Sequence, residues 1–148
     1  MKTLLQLEVG DELQQREWHD ITQHSIDQFA EATNDHQWIH TDPQRCEQES
    51  PFGTTIAHGF FTASLMPKAF DSVVADSPQI ASVINYGVDS LRFLEPVRCN
   101  DAIRFSFRVT SIHQKRAGHL YKIAAECELR DAEKLAMAGT FLMLVIPK

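Results

Sequence analysis

The segment Asn34-Asp35-His36-Gln37-Trp38-Ile39-His40-Thr41-Asp42-Pro43 holds a carboxylate, Asp35, and an imidazole, His40, five residues apart. An imidazole accepts a proton near pH 7, and a carboxylate can orient or assist it. Sharing one water, the two could add it to, or remove it from, a polarised double bond. Positioned acid–base groups contribute roughly 10²–10⁴-fold to such steps. The spacing constrains the backbone. On an α-helix, five steps of about 100° leave the side chains roughly 140° apart. On a strand, an odd spacing sends them to opposite faces. The pair converges only if the chain is irregular here. The helix stop Asn34-Asp35 and the later Pro43 predict that irregularity. The same residues also read as a solvated loop of ordinary Asx turns.

A second segment, Ile56-Ala57-His58-Gly59-Phe60-Phe61, stands at the head of a long apolar run. Free N–H groups at a helix start can hold a carbonyl oxygen that gains negative charge. Losing one such donor typically costs about 10²–10³ in rate. A plain helix start with a tight turn at Gly59 is the competing reading. His36, His40, Asp35, Asp42 and His58 are residue types that bind Zn²⁺. The irregular backbone that joins Asp35 to His40 spoils a helical His36/His40 pair, and no His-Glu-x-x-His occurs, so no metal is expected. Thr54, Thr55 and Ser64 lack a nucleophile elbow, and Cys46 lacks a thiol-enzyme signature.

The elements that must carry these residues change character along the chain. Thr22 or Ser25 can cap a first helix, and Ser25 with Gln28 fits a capping box. Ile26, Phe29, Ala30 and Thr33 share a face of that helix. A second helix is expected from Phe60 to about Val74. It is apolar nearly all round and therefore central and buried, with a kink at Pro67. After Ala102 the period becomes two. Ile103, Phe105, Phe107 and Val109 oppose Arg104, Ser106, Arg108 and Thr110. Tyr121, Ile123, Ala125, Cys127 and Leu129 oppose Lys122, Glu126, Glu128 and Arg130. That is antiparallel sheet, with turns at Lys115-Gly118 and Asp131-Glu133. Leu135 to Ile146 is apolar on both phases, so either both sides of the sheet or a partner subunit covers it. Further strands are expected within Ser82–Phe93 and Asp11–Asp20. About five antiparallel strands around one helix make an α+β domain.

The chain has 148 residues and a net charge of -6. That length fits one domain over residues 1–148. With 43% apolar and 23% charged residues it is globular rather than disordered. The acidic balance argues against a general nucleic-acid partner. Cys46, Cys99 and Cys127 are widely spaced and odd in number, which reads as reduced thiols in a cytoplasm. The longest apolar stretch, Ala136–Ile146, is too short to span a bilayer. The start, Met1-Lys2-Thr3-Leu4-Leu5 followed by Gln6 and Glu8, is not a signal peptide. No membrane partner is expected.

Ala32-Thr33-Asn34-Asp35, Trp38 to Pro43, and Ser50-Pro51-Phe52-Gly53-Thr54-Thr55-Ile56-Ala57-His58-Gly59-Phe60 together resemble the MaoC-like hydratases. The nodulation protein N-like, (R)-specific enoyl-CoA hydratase branch is the nearest match. Ile84-Asn85-Tyr86-Gly87 and Leu91-Arg92-Phe93-Leu94-Glu95-Pro96-Val97 match that branch too. The resemblance implies a hot-dog fold, a long helix wrapped by antiparallel sheet and paired into a homodimer. It implies hydration of trans-2-enoyl-CoA to (R)-3-hydroxyacyl-CoA, within fatty acid metabolism and without a separate cofactor. The family's aspartate falls on Asp35, its histidine on His40, and its carbonyl-polarising glycine on Gly59. Asn34 replaces a family glycine, and Gln37-Trp38 replaces Asn-Pro. Asn34 can still take a positive φ. Gln37 is expected to do the missing Asn's hydrogen bonding. Trp38 is read as lining an acyl tunnel or as a packed core aromatic. Phe61 and Leu65 are expected along the acyl chain, His58 at the substrate, and Arg92, Arg98 or Arg104 at the CoA phosphates. Two alternatives stay open: an acyl-CoA thioesterase on the same fold, and a non-catalytic dimeric module.

Overall fold

The computed structural model describes all 148 residues. Its sheet has six antiparallel strands: β1 (Glu12–Gln14), β2 (His19–Asp20), β3 (Ile80–Phe93), β4 (Ala102–Gln114), β5 (His119–Leu129) and β6 (Leu135–Pro147). They lie in the order β1-β4-β5-β6-β3, and β2 also pairs with β4. The region from Asp11 to Asp20 is thus two short strands on one partner rather than a single strand. Between the N-terminal and C-terminal strands come α1 (Gln23–Thr33), α2 (Trp38–Thr41), α3 (Pro43–Glu49), α4 (Gly59–Ser64) and α5 (Met66–Asp71).

The alternation in β4 and β5 sets the inner face of the sheet. Ile103, Phe105, Phe107, Val109, Tyr121, Ile123, Ala125 and Cys127 are buried. The helix segments α4 and α5 pack against that face. Phe70 meets Phe107 and Phe141 edge-to-face, with ring centroids 5.1 and 5.8 Å apart. Such aromatic pairs add about 0.5–1.5 kcal/mol beyond their area burial.

The central helix is broken rather than kinked. Pro67 has no N–H for the carbonyl one turn back. The helix stops at Ser64, Leu65 bonds back to Thr62, and α5 restarts with Pro67 in its first turn. The pair also ends at Asp71, short of Val74. Nor is it buried all round: Phe60 is 69% exposed.

β6 is central, paired with β5 on one side and β3 on the other, and the consecutive residues Phe141, Leu142 and Met143 are all buried, so its apolar residues are covered on both sheet faces there. β3 is the long edge strand at one end of the sheet, and its residues 81–90 are all exposed. No helix is long and apolar enough to cross a membrane.

Candidate active site

The irregular stretch required to join Asp35 to His40 is present. Thr22, not Ser25, caps α1. Its hydroxyl accepts from the Ser25 N–H, and Ser25 reciprocates as the third helical residue. The helix ends at Asn34 in the left-handed region, with φ 59°. Asn is one of the few residues that tolerates this conformation, so it does the turning expected of it. Residues 35–37 belong to no helix or strand, and α2 then presents His40 from a single helical turn. Asp42 is spent on capping α3, where its Oδ1 accepts from the Arg45 N–H at 3.1 Å.

His40 is held from both ends. Its Nδ1 lies 2.7 Å from the Ile56 carbonyl oxygen. A carbonyl can only accept, so Nδ1 carries the hydrogen and Nε2 keeps a lone pair. Gln23 ties down its main chain, donating to the His40 carbonyl at 2.7 Å. The Gln23 carbonyl in turn accepts from the Thr55 hydroxyl. Burial pushes the His40 pKa below its ordinary value of 6.5, and the neighbouring His58 adds to the shift. The Ile56 bond and the Asp35 carboxylate oppose it less strongly. His40 is therefore neutral at pH 7, with an acceptor nitrogen available.

Asp35, His40 and His58 bring one side-chain nitrogen or carboxylate oxygen each to within 4.8 Å of one another. Asp35 is exposed, whereas both imidazoles are buried. The set has the composition of a two-His, one-carboxylate metal site, but the rings do not fit one. The His40 and His58 centroids are 3.8 Å apart and the planes only 22° from parallel. A ring nitrogen's lone pair lies in its ring plane, so two stacked rings cannot aim at one ion. The arrangement suits a water held by the Asp35 carboxylate and His40 Nε2.

Gly59 follows His58 and opens α4. As the first residue of α4, it has no carbonyl one turn back within the helix for its N–H to reach, and the N–H makes no hydrogen bond to the rest of the chain. A side chain at 59 is blocked. A Cβ there would stand 2.7 Å from two ring carbons of Phe93. Beside it lies a depression of about 230 Å³ lined by Gly59, Thr62, Phe93, Leu94 and Pro96 among others. The glycine thus accommodates a phenyl ring as well as starting the helix.

The remaining expected residues scatter. His58 is 3% exposed, and its Nε2 donates to the Asp35 main-chain oxygen at 3.0 Å, so it sits behind the pair and not on a substrate surface. Phe61 is in the core against Phe29, with centroids 5.4 Å apart. Its neighbour Phe60 instead lines an open groove of about 400 Å³ between the helix and β3, with Met66, Tyr86, Val88 and Leu91. Leu65 faces a different depression, beside Lys68 and Phe105. Trp38 is half-buried beneath the Arg45 guanidinium, 4.1 Å from the ring centroid. Gln37 is exposed and uses its main chain: its N–H points to Asp35 Oδ1 at 3.4 Å, and its carbonyl accepts from the His40 N–H at 3.0 Å. Arg104 is occupied by Glu128 at 2.8 Å and by the Trp18 ring. Strand alternation turns Arg92 to the opposite sheet face from Phe93. Arg98 is exposed next to Ile56, where the two form a bridge pair. Sequence reasoning missed Gln23 and Phe93, whose roles exist only because distant segments meet; Thr55, set aside as a nucleophile, supports Gln23 instead.

An antiparallel sheet packed on the central helical segments α4 and α5 is the layout of a hot-dog domain. The sequence matches the MaoC like domain over residues 5–128. The chain belongs to this MaoC-like dehydratase family, and it is an enzyme of the hydro-lyase class. It is 40% identical over 140 residues to nodulation protein N of Rhizobium leguminosarum bv. viciae, covering 93% of this chain and 86% of that one. It is 43% identical over 95 residues to 3-hydroxyacyl-thioester dehydratase Z of Mycobacterium tuberculosis, covering 64% of this chain and 62% of the relative. Among solved structures, an R-hydratase of Pseudomonas aeruginosa in unliganded form superposes with a TM-score of 0.77 at 22% identity, covering 97% of this chain and 85% of that one. An (R)-hydratase from A. caviae superposes at 0.76, also at 22% identity, with 94% and 97% covered.

Proposed function

We propose that the protein is an (R)-specific enoyl-CoA hydratase, converting trans-2-enoyl-CoA and water into (R)-3-hydroxyacyl-CoA. The observation that carries this reading is the convergence of Asp35 and a neutral, buried His40 on one small space. The neighbouring unpaired Gly59 N–H supports it. The thioester carbonyl accepts from the Gly59 N–H, which draws electron density away from C3. The water between Asp35 and His40 attacks C3 and forms the C3–O bond. The Asp35/His40 pair takes the water's proton and returns one to C2 of the resulting enolate, so atoms and charge balance. Addition is syn, because water and proton come from one side. No separate cofactor enters; CoA is part of the substrate.

The apolar groove beside Phe60 and Leu91 suits an acyl chain. Arg98 is the arginine best placed for a CoA phosphate, being exposed beside the site and free of any ion pair. The exposed edge strand β3, with Val83, Ile84, Tyr86 and Val88 uncovered, supports a homodimer formed along it. A place in fatty acid metabolism and in the cytoplasm goes with this substrate.

The test is purified protein with crotonyl-CoA and longer enoyl-CoAs. The conjugated enoyl-thioester absorbance should fall without release of free thiol. Thiol release would instead indicate a thioesterase. Silence at every chain length would overturn the hydratase reading.

A further inference from the structure

The contacts around His58 select one tautomer of its imidazole. Its Nε2 faces the Asp35 main-chain oxygen at 3.0 Å. Its Nδ1 is sealed from solvent and meets no partner. The carbonyl can only accept, so Nε2 carries the hydrogen. A hydrogen on Nδ1 would be a buried donor with no acceptor. The imidazole tautomer that these contacts favour at His58 is therefore the one hydrogenated at Nε2, opposite to that of His40.

Asp35 needs this partner more than His40 does. His40 is fixed by Ile56, Gln37 and Gln23. The other hydrogen bonds at Asp35 are local and long: its N–H to the Thr33 hydroxyl at 3.4 Å, and its carboxylate from the Gln37 N–H at 3.4 Å. The bond from His58 is the shortest at Asp35, and it alone reaches across the fold, over 23 residues. The same ring lies face to face on His40 and packs beside Phe29, 4.9 Å between centroids.

We propose that His58 is a positioning residue: its Nε2–H tethers the Asp35 main chain while its ring face sets the plane of the His40 imidazole. One group thus registers both members of the water-handling pair against each other. It does so without touching substrate. The proposal rests on the hydratase reading above.

The test compares wild type with His58→Gln, His58→Asn and His58→Leu on crotonyl-CoA. Gln places its amide nitrogen near the position of Nε2; Asn is too short, and Leu has no donor. A displacement of about 1 Å at a catalytic group costs roughly 10²-fold, so Asn and Leu should lose about that in kcat, while Gln stays within about tenfold of wild type. KM should stay within about threefold in all three, because no substrate contact is removed. Equal losses in all three variants, or a raised KM with unchanged kcat, would overturn the tether. If a variant fails to fold, ¹⁵N NMR of the wild-type imidazoles decides instead. It should show hydrogen on Nε2 of His58 and on Nδ1 of His40 at pH 7. Hydrogen on Nδ1 of His58 overturns the proposal. A wild type silent on every enoyl-CoA overturns the hydratase reading, and the tautomer pattern still judges the tether separately.

Discussion

Replacing Gly59 with alanine adds one methyl group where the structure has no room for it. The new Cβ would lie 2.7 Å from Cδ2 and Cε2 of Phe93 and 2.9 Å from Cγ. Carbon atoms sit comfortably at about 3.5–4.0 Å, so the ring must retreat by about 1 Å. Phe93 is 46% exposed on the edge strand β3 and packs edge-to-face on Phe60, so it can move outward, but at the expense of that packing. Inserting a methyl group into a packed site costs about 1–3 kcal/mol. Removing a glycine from a helix returns about 0.5–1 kcal/mol. The net loss is at most about 2.5 kcal/mol, a fall of up to several degrees in Tm for a domain of about 150 residues. The Gly59 N–H survives the change, but the carbonyl that it would hold is displaced by the methyl and the shifted ring. A displacement near 1 Å is expected to lower kcat about 10²-fold. The informative variant is Gly59→Ala/Phe93→Ala. Removing the ring should recover most of the stability lost to the methyl, giving a coupling of about 1 kcal/mol or more between the two sites. Thermal unfolding and crotonyl-CoA kinetics on the four proteins measure both effects. Strictly additive losses would refute the reasoning, because they would mean that ring and methyl do not meet.

The acid limb of kcat/KM should fall below pH 6.5, since burial lowers the His40 pKa from that value. A base of unperturbed or raised pKa in the profile would contradict the assignment. The same shift bears on stability. The unfolded chain takes up the His40 proton first as pH drops, so this contribution is present above about pH 6.5 and is lost as pH falls from there through the folded-state value. His40→Gln should flatten that part of a Tm-against-pH curve. Along the β3 edge, Val88→Lys or Tyr86→Asp should shift the protein from dimer to monomer in analytical ultracentrifugation, because a charge on an edge strand opposes pairing. A wild type that sediments as a monomer would refute the edge pairing.

Much of the fold was legible because it rests on local patterns. The period-two alternation in residues 103–109 and 121–129 follows directly from a sheet with one buried face. The convergence of Asp35 and His40 was legible as a spacing that only an irregular backbone could reconcile, and Asn34 supplied the turn. What failed depended on rotational phase or on distant partners. Phe60 and Phe61 are equally apolar, and only the angle at which α4 meets the sheet sends one to solvent and the other to the core. Pro67 announced a disturbance, but whether a helix bends or restarts depends on the packing of Met66, Ala69 and Phe70 beneath it. His58 read as a substrate contact from its place beside Gly59. Its actual partner, the Asp35 carbonyl, lies 23 residues away, beyond any spacing rule. Arg104 read as free on a wet strand face, yet Glu128 on β5 and Trp18 had already engaged it.

The central claim is that Asp35 and His40 together handle the water of an enoyl-thioester hydration. The most direct measurement follows the enoyl-thioester absorbance of crotonyl-CoA with wild type, Asp35→Asn and His40→Gln, each checked for an unchanged fold by circular dichroism. The account predicts loss of absorbance with wild type and, in each folded variant, a rate lower by about 10²–10⁴-fold. A variant that folds and hydrates crotonyl-CoA at the wild-type rate would contradict it.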